Sequence, residues 1–224
     1  MNLETTVQPS ESPTGRLCLR PAIPEIGIAA GYLDEAVSAH LANQHDLAKQ
    51  LIIRANEGEI RAALIEWIES ISGKASPYTQ YRKVEEAPAR GKAQRTPYRA
   101  PTPAEKRLLH ERDGYCCRFC GIPVIRREVR ERFRKLYGGV VVPWGNTAKE
   151  LHAALRVMWA QYDHILPRSR GGNDELNNIV ITCAPCNYGR GDYTLAEAGL
   201  IDPRARDPIQ SPWDGLERLL HHPK

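Results

Sequence analysis

No stretch of the 224 residues approaches the run of about eighteen apolar side chains that a bilayer span needs. The polar start, Met1 to Gly15, lacks the basic-then-apolar layout of a secretory signal. Together these absences predict a cytoplasmic protein. In a reducing compartment the six cysteines are expected to be metal ligands or plain thiols, not disulfides. The first third of the chain lacks any grouping that could do chemistry. His40 and His45 have no metal-ligand companions there and read as solvated or packed side chains.

What is present bounds the answer further. A hydrophobic content of 42% permits a core in one or two domains. The net charge of +4 is unevenly spread. Residues 1–73 carry ten acids against five bases, and residues 74–162 carry nineteen bases against eight acids. A basic middle third suits a polyanionic partner.

Residues 1–25 read as a flexible lead rich in Pro, Ser and Thr. Residues 26–73 read as a helical N-terminal region, with apolar repeats starting near Tyr32. Leu33, Val37 and Leu41 form one set, Leu47, Leu51 and Ile52 a second, and Ile60, Leu64, Trp67, Ile68 and Ile71 a third. Such helices serve either as a module for a protein partner or self-association, or as a layer packed on the rest. Residues 74–102 read as a basic, Pro-containing linker, either a solvated tether or, through Tyr78, Tyr81 and Tyr98, a track for a nucleic-acid backbone.

Thr102-Pro103-Ala104-Glu105 predicts a helix start with a capping box and runs to about Arg112. Cys117-x-x-Cys120-Gly121 then makes a tight turn with two thiols. The segment 122–160 reads as an insertion of two helices. The first uses Ile125, Val129, Phe133 and Leu136 and ends at Gly138-Gly139, followed by an extended Val140 to Pro143. The second is capped at Thr147, with His152 as a packing residue. The basic side of the first, which includes Arg126 and Arg130, either lies along phosphates or is a solvated face. Residues 201–224 read as loop and a short terminal helix from Trp213 to Leu220.

The chemistry concentrates in Gln161 to Gly191, QYDHILPRSRGGNDELNNIVITCAPCNYGRG. Strand, polar loop, strand and helix would bring Asp163, His164 and Asn187 to one end of a hairpin–helix unit. A carboxylate, an imidazole and an amide oxygen suit one hard divalent cation and one general base. Cys183-x-x-Cys186 matches the first knuckle, so Cys117, Cys120, Cys183 and Cys186 are expected to hold one structural Zn²⁺ with no open position for water.

These residues resemble a known family. Asp163-His164-Ile165-Leu166-Pro167, Gly171-Gly172, Asn178-Ile179-Val180, Cys183-x-x-Cys186-Asn187 and Arg190-Gly191 are similar to an HNH endonuclease of the ββα-metal superfamily. Arg112-Asp113-Gly114-Tyr115 and Cys117-x-x-Cys120-Gly121 resemble the segment that precedes the core in zinc-containing members. The likeness spans roughly Pro103 to Gly191. It departs at the third letter, Asn187 in place of His, and at the long segment between the first knuckle and the Asp-His pair.

The resemblance implies an α+β fold with residues 103–200 as the nuclease domain. It implies DNA as the partner and metal-dependent hydrolysis to a 5′-phosphate and a 3′-hydroxyl. His164 would activate water, Asp163 and Asn187 would hold Mg²⁺ or Mn²⁺, and Asn178 would brace the loop behind the histidine. Arg190 would contact a phosphate, and Arg168 and Arg170 are expected to bind nucleic acid alongside Arg126 and Arg130. Two alternatives to a free-standing nuclease are a non-catalytic zinc-dependent DNA-binding module and a nuclease subunit that needs a partner.

Overall fold

Proline at a helix's first turn costs no hydrogen bond, and helix α1 (Pro24–Leu41) uses that start instead of one near Tyr32. Ile26, Ala29, Ala30 and Leu33 continue the apolar stripe backwards and are all buried. The computed structural model describes residues 15–72 and 98–221. The expected lead from residue 1 therefore lies outside the described residues up to 14, and the linker up to 97. Residues 15–23 are not a loose lead. Arg16 bridges Leu200, Leu19 is buried, and the Pro21 carbonyl accepts the Trp67 indole N–H at 2.8 Å.

Helices α2 (His45–Arg54) and α3 (Gly58–Ser72) complete the N-terminal layer. Trp67, Ile68 and Ile71 of α3 are buried in the same apolar cluster as Cys183 and Cys186. A Cβ on Gly189 would lie 2.5 Å from Ile71 Cγ2. The close approach of the two regions thus requires glycine at 189.

Helix α4 (Pro103–Asp113) opens with the capping box: Thr102 Oγ1 accepts from Glu105 N–H at 3.3 Å, and the Glu105 carboxylate accepts from Thr102 N–H at 2.8 Å. Its end grips the core. Arg112 donates to the Leu176 and Ile179 carbonyls at 2.7 and 2.5 Å, and buried Asp113 accepts from Ile181 N–H at 2.9 Å.

The insertion leaves and returns at one point. Ile125 N–H donates to Met158 O at 2.6 Å and Ala160 N–H to Ile125 O at 3.0 Å, so 126–158 is a closed excursion beside an undisturbed core. Helix α5 (Arg127–Val141) runs further than expected, because Val142 N–H closes onto Gly138 O at 3.0 Å in place of an extended piece. It kinks at Gly138, whose φ of 79° suits glycine. The second helix is shorter than expected. Glu150 takes up the N–H groups of Asn146 and Thr147, leaving one 3-10 turn, Ala148–Glu150. Helix α6 (Ala153–Val157) begins at His152, whose Nδ1 accepts from Leu155 N–H and whose Nε2–H donates to Ile52 O at 3.1 Å.

Strands β1 (Ala160–His164) and β2 (Ile179–Cys183) form an antiparallel hairpin in which Ala160 faces Cys183 and His164 faces Ile179. Helix α7 (Ala184–Arg190) follows directly. Thr194 to Gly199 makes a single turn and no further helix. A short helix α8 (Arg218–His221) closes the chain, with Leu216 and Leu219 buried and the Trp213 indole donating to Val124 O at 3.0 Å. The architecture is α+β, a two-stranded hairpin and helix backed by a helical layer.

Candidate active site and metal centre

The hairpin loop is built on two residues. Asn178 Oδ1 accepts from Leu166 N–H at 2.9 Å, while its Nδ2 donates to Leu166 O at 3.1 Å and to Asn173 O at 2.9 Å. Gly172 lies so close that a Cβ there would fall 1.8 Å from Leu166 O. One amide side chain and one missing side chain therefore fold the loop back over β1.

That fold brings Asp174 to His164. The Asp174 Oδ1 to His164 Nε2 distance is 2.8 Å, and Asp174 Oδ2 accepts from Arg99 N–H at 2.9 Å. Burial raises the pKa of Asp174, but these hydrogen bonds and Arg168 outweigh it and hold the carboxyl below its ordinary range. An ionised carboxylate only accepts, so Nε2 carries the ring proton and Nδ1 is left with the lone pair. Asp174 escapes a sequence reading, since nothing in the spacing separates it from Glu175. A carboxylate just past a Gly-Gly turn is the only available signal.

Asp163 is buried. Arg190, 1% exposed, pairs with both of its oxygens: Nε donates to Oδ2 at 3.1 Å and Nη2 to Oδ1. Burial pushes the Asp163 carboxyl up, and the guanidinium opposes it. Arg190 also donates to Tyr193 O at 2.8 Å and to the carbonyls of His164 and Ile165. Its donors are spent inside the protein, tying the end of α7 to β1. The expected phosphate contact by Arg190 is replaced by this clamp.

Other expected phosphate contacts are also engaged elsewhere. Arg130 is buried, its guanidinium 3.8 Å from the Trp144 ring centroid and 4.9 Å from that of Trp159. Arg126 pairs with Glu217 at 2.5 Å, and Arg170 pairs with buried Glu197 at 2.9 Å. Aromatic rings drew Arg130 inward and distant carboxylates engaged Arg126 and Arg170, partners that sequence periodicity alone does not reveal. Arg168 lines the cleft, 3.4 Å from Asp174 and over the Tyr98 ring.

A cleft of about 540 Å³ gathers Asp163, His164, Asn187, Arg168, Tyr98 and Tyr188 among its lining residues. Asn187, half-buried on α7, lines the same cleft as the Asp-His pair. Two carboxylates (Asp163 and Asp192), two amides (Gln161 and Asn187) and one imidazole line the cleft.

The metal-ligand geometry of the thiols is sharper. The sulfurs of Cys117, Cys120, Cys183 and Cys186 lie within 4.8 Å of one another. Cys120 and Cys183 sulfurs are 3.7 Å apart, whereas bonds of about 2.3 Å to a tetrahedral zinc place sulfurs roughly 3.8 Å apart. Burial opposes ionisation of Cys117, but hydrogen bonds from the other three thiols outweigh it and hold it well below the ordinary range. The set fits zinc. Cys117 N–H donates to Ile122 O, Gly121 N–H to Cys117 O and Arg118 N–H to Ile181 O, so the first knuckle is fixed to β2 before the metal is considered. Cys116 and Cys18 stand outside the set.

Residues 159–199 match the HNH endonuclease family model. No curated protein and no solved structure matches the chain. Among the described residues no helix is long and apolar enough to cross a membrane.

Proposed function

We propose, from the likeness of residues 159–199 to HNH endonucleases, that the protein is a metal-dependent nuclease that hydrolyses DNA phosphodiester bonds. The observation that carries this reading is the cleft in which His164, oriented by Asp174, stands with Asp163 and Asn187. Nδ1 of His164 takes the proton of the attacking water as the water's oxygen bonds phosphorus. The bond to the 3′ oxygen breaks and the departing oxygen takes a proton from solvent water, leaving a 5′-phosphate and a 3′-hydroxyl. Asp174 plays an orienting part, fixing the tautomer and favouring the imidazolium that forms.

Asp163 and Asn187 are the residues that would hold Mg²⁺ or Mn²⁺. Arg190 occupies one lone pair on each Asp163 oxygen, and a carboxylate has others. Such an ion, when bound, supplies charge stabilisation at the phosphate and the leaving oxygen. Few protein ligands suit Mg²⁺, which keeps several waters. Cys117, Cys120, Cys183 and Cys186 would hold a zinc that staples the first knuckle to the hairpin, with four ligands and no catalytic position.

The helical layer favours a part of the nuclease body over a detachable partner module, because α3 packs on α7 and the insertion. The test is nicking of supercoiled plasmid with Mg²⁺ present or chelated. Mg²⁺-dependent nicking is expected. Absence of Mg²⁺-dependent cleavage of both plasmid and single-stranded DNA by zinc-loaded protein would leave a non-catalytic DNA-binding module.

A further inference from the structure

Among the described residues, the only exposed aromatic side chains are Tyr98, 61% exposed, and Tyr188, 54% exposed. Both line the cleft that holds His164 and Asn187. The remaining aromatics of the described residues are buried or half-buried. Tyr98 precedes α4, while Tyr188 follows Asn187 on α7, so two separate parts of the chain deliver an exposed ring to one place. The Arg168 guanidinium lies 4.8 Å from the Tyr98 ring centroid and 3.4 Å from Asp174. A stacked ring and cation therefore connect directly to the residue that orients His164.

From this we infer that Tyr98 and Tyr188 are stacking platforms for unpaired nucleobases flanking the scissile phosphate. The preferred substrate is nucleic acid with an unpaired stretch, such as a single strand or a flap, and not continuous duplex. Inside a duplex each base face is covered by its neighbours. Only an unstacked base offers the π-face that a tyrosine can take. The cleft, about 540 Å³, is of the size that encloses a small-molecule-sized group. Arg168 adds a cation beside Tyr98, where a phosphate next to a stacked base would lie. This inference rests on the nuclease reading for its location and extends it to substrate class.

The test uses the full chain with zinc, carrying His164→Ala so that nothing is cut. The probes are 2-aminopurine oligonucleotides, as single-stranded DNA, as single-stranded RNA and as blunt duplex DNA. Binding is read by anisotropy and stacking by quenching of the 2-aminopurine. Single-stranded DNA should bind at least tenfold more tightly than duplex, with quenching. Tyr98→Ala and Tyr188→Ala should each lose on the order of tenfold in affinity together with the quench. Tyr98→Phe and Tyr188→Phe should keep both, which a role through the hydroxyl would not allow. The RNA arm shows whether the sugar is read as well as the base.

Equal binding of duplex, or alanine variants that bind and quench as the parent does, would overturn the proposal, and exposed tyrosines that serve a protein contact would give that result. The two readings fail separately once cleavage is followed on plasmid and on single-stranded DNA. Stacking without His164-dependent cleavage of either would remove the nuclease, whereas such cleavage without stacking would remove only the platforms.

Discussion

The helical layer and the hairpin core are held together by different physics. In α1–α3 the buried side chains are mainly apolar, Leu33, Ile52, Leu64, Trp67 and Ile71 among them, and polar bonds of His40, Asn56, Arg61 and the Ile52 carbonyl are added where the layer meets the insertion. In the core, two five-residue strands and a seven-residue helix offer little apolar area. They are fixed by charged and amide side chains bonded to backbone groups, namely Arg112, Asp113, Arg118, Asn178 and Arg190, and by four convergent thiols. Burial is non-directional, so it can hold a scaffold together without fixing where each group points. Directional bonds do fix orientation, and a site that must position a base and a metal needs that.

The largest expected break in this comparison is Cys183→Ser. It should abolish stoichiometric zinc binding and the cooperative melt of the core, because metal binding and folding are coupled there. Elemental analysis and thermal denaturation check it. Full zinc retention would remove the four-thiol site.

Arg190→Leu comes next, since it leaves Asp163 buried without its partner. A loss of about 3–5 kcal/mol is expected from denaturant melts. The double variant Asp163→Leu with Arg190→Leu should recover much of that stability and still fail to nick. Ile71→Ala tests the other region, with an expected cost of about 2–5 kcal/mol from the cavity. At a temperature where it stays folded, it should nick at close to the parent rate. Two variants of similar stability cost, one inactive and one active, would sharpen the contrast; equal loss of nicking in both would erase it.

A smaller effect appears with pH, and both regions contribute to it. Burial of His152, on the insertion against the helical layer, lowers its pKa from 6.5 to about 4. The unfolded chain binds this proton at higher pH than the folded one, so the stability is fully present above the unfolded value. It is lost as pH falls from 6.5 towards 4, by on the order of 3 kcal/mol. His152→Gln should shrink that limb, and His110, which burial lowers to about 3, should supply the remainder. Zinc content followed in parallel separates it from protonation of the thiolates.

How much was legible depended on the physics of each region. The thiol pairs, the capping box and the hairpin were readable because each follows from short spacing and a single mechanism. Asp163, His164 and Asn187 also stood out, and the structure places all three on one cleft. The arginines were misleading. Arg126, Arg130, Arg170 and Arg190 look alike in sequence, yet each is drawn to a partner contributed by a distant part of the fold or by an unreadable turn. Asp174 was hidden for the same reason, since its meaning depends on Gly172 and Asn178 folding the loop back. The start of α1 was missed because Pro24 opens it ahead of the most regular part of the apolar repeat.

The most direct test of the central claim is the rate of Mg²⁺-dependent nicking by the parent and by His164→Ala. His164→Ala should fall by roughly two to four orders of magnitude and still bind DNA and zinc. Undiminished nicking by the zinc-loaded His164→Ala variant would contradict the assignment of His164 as the base.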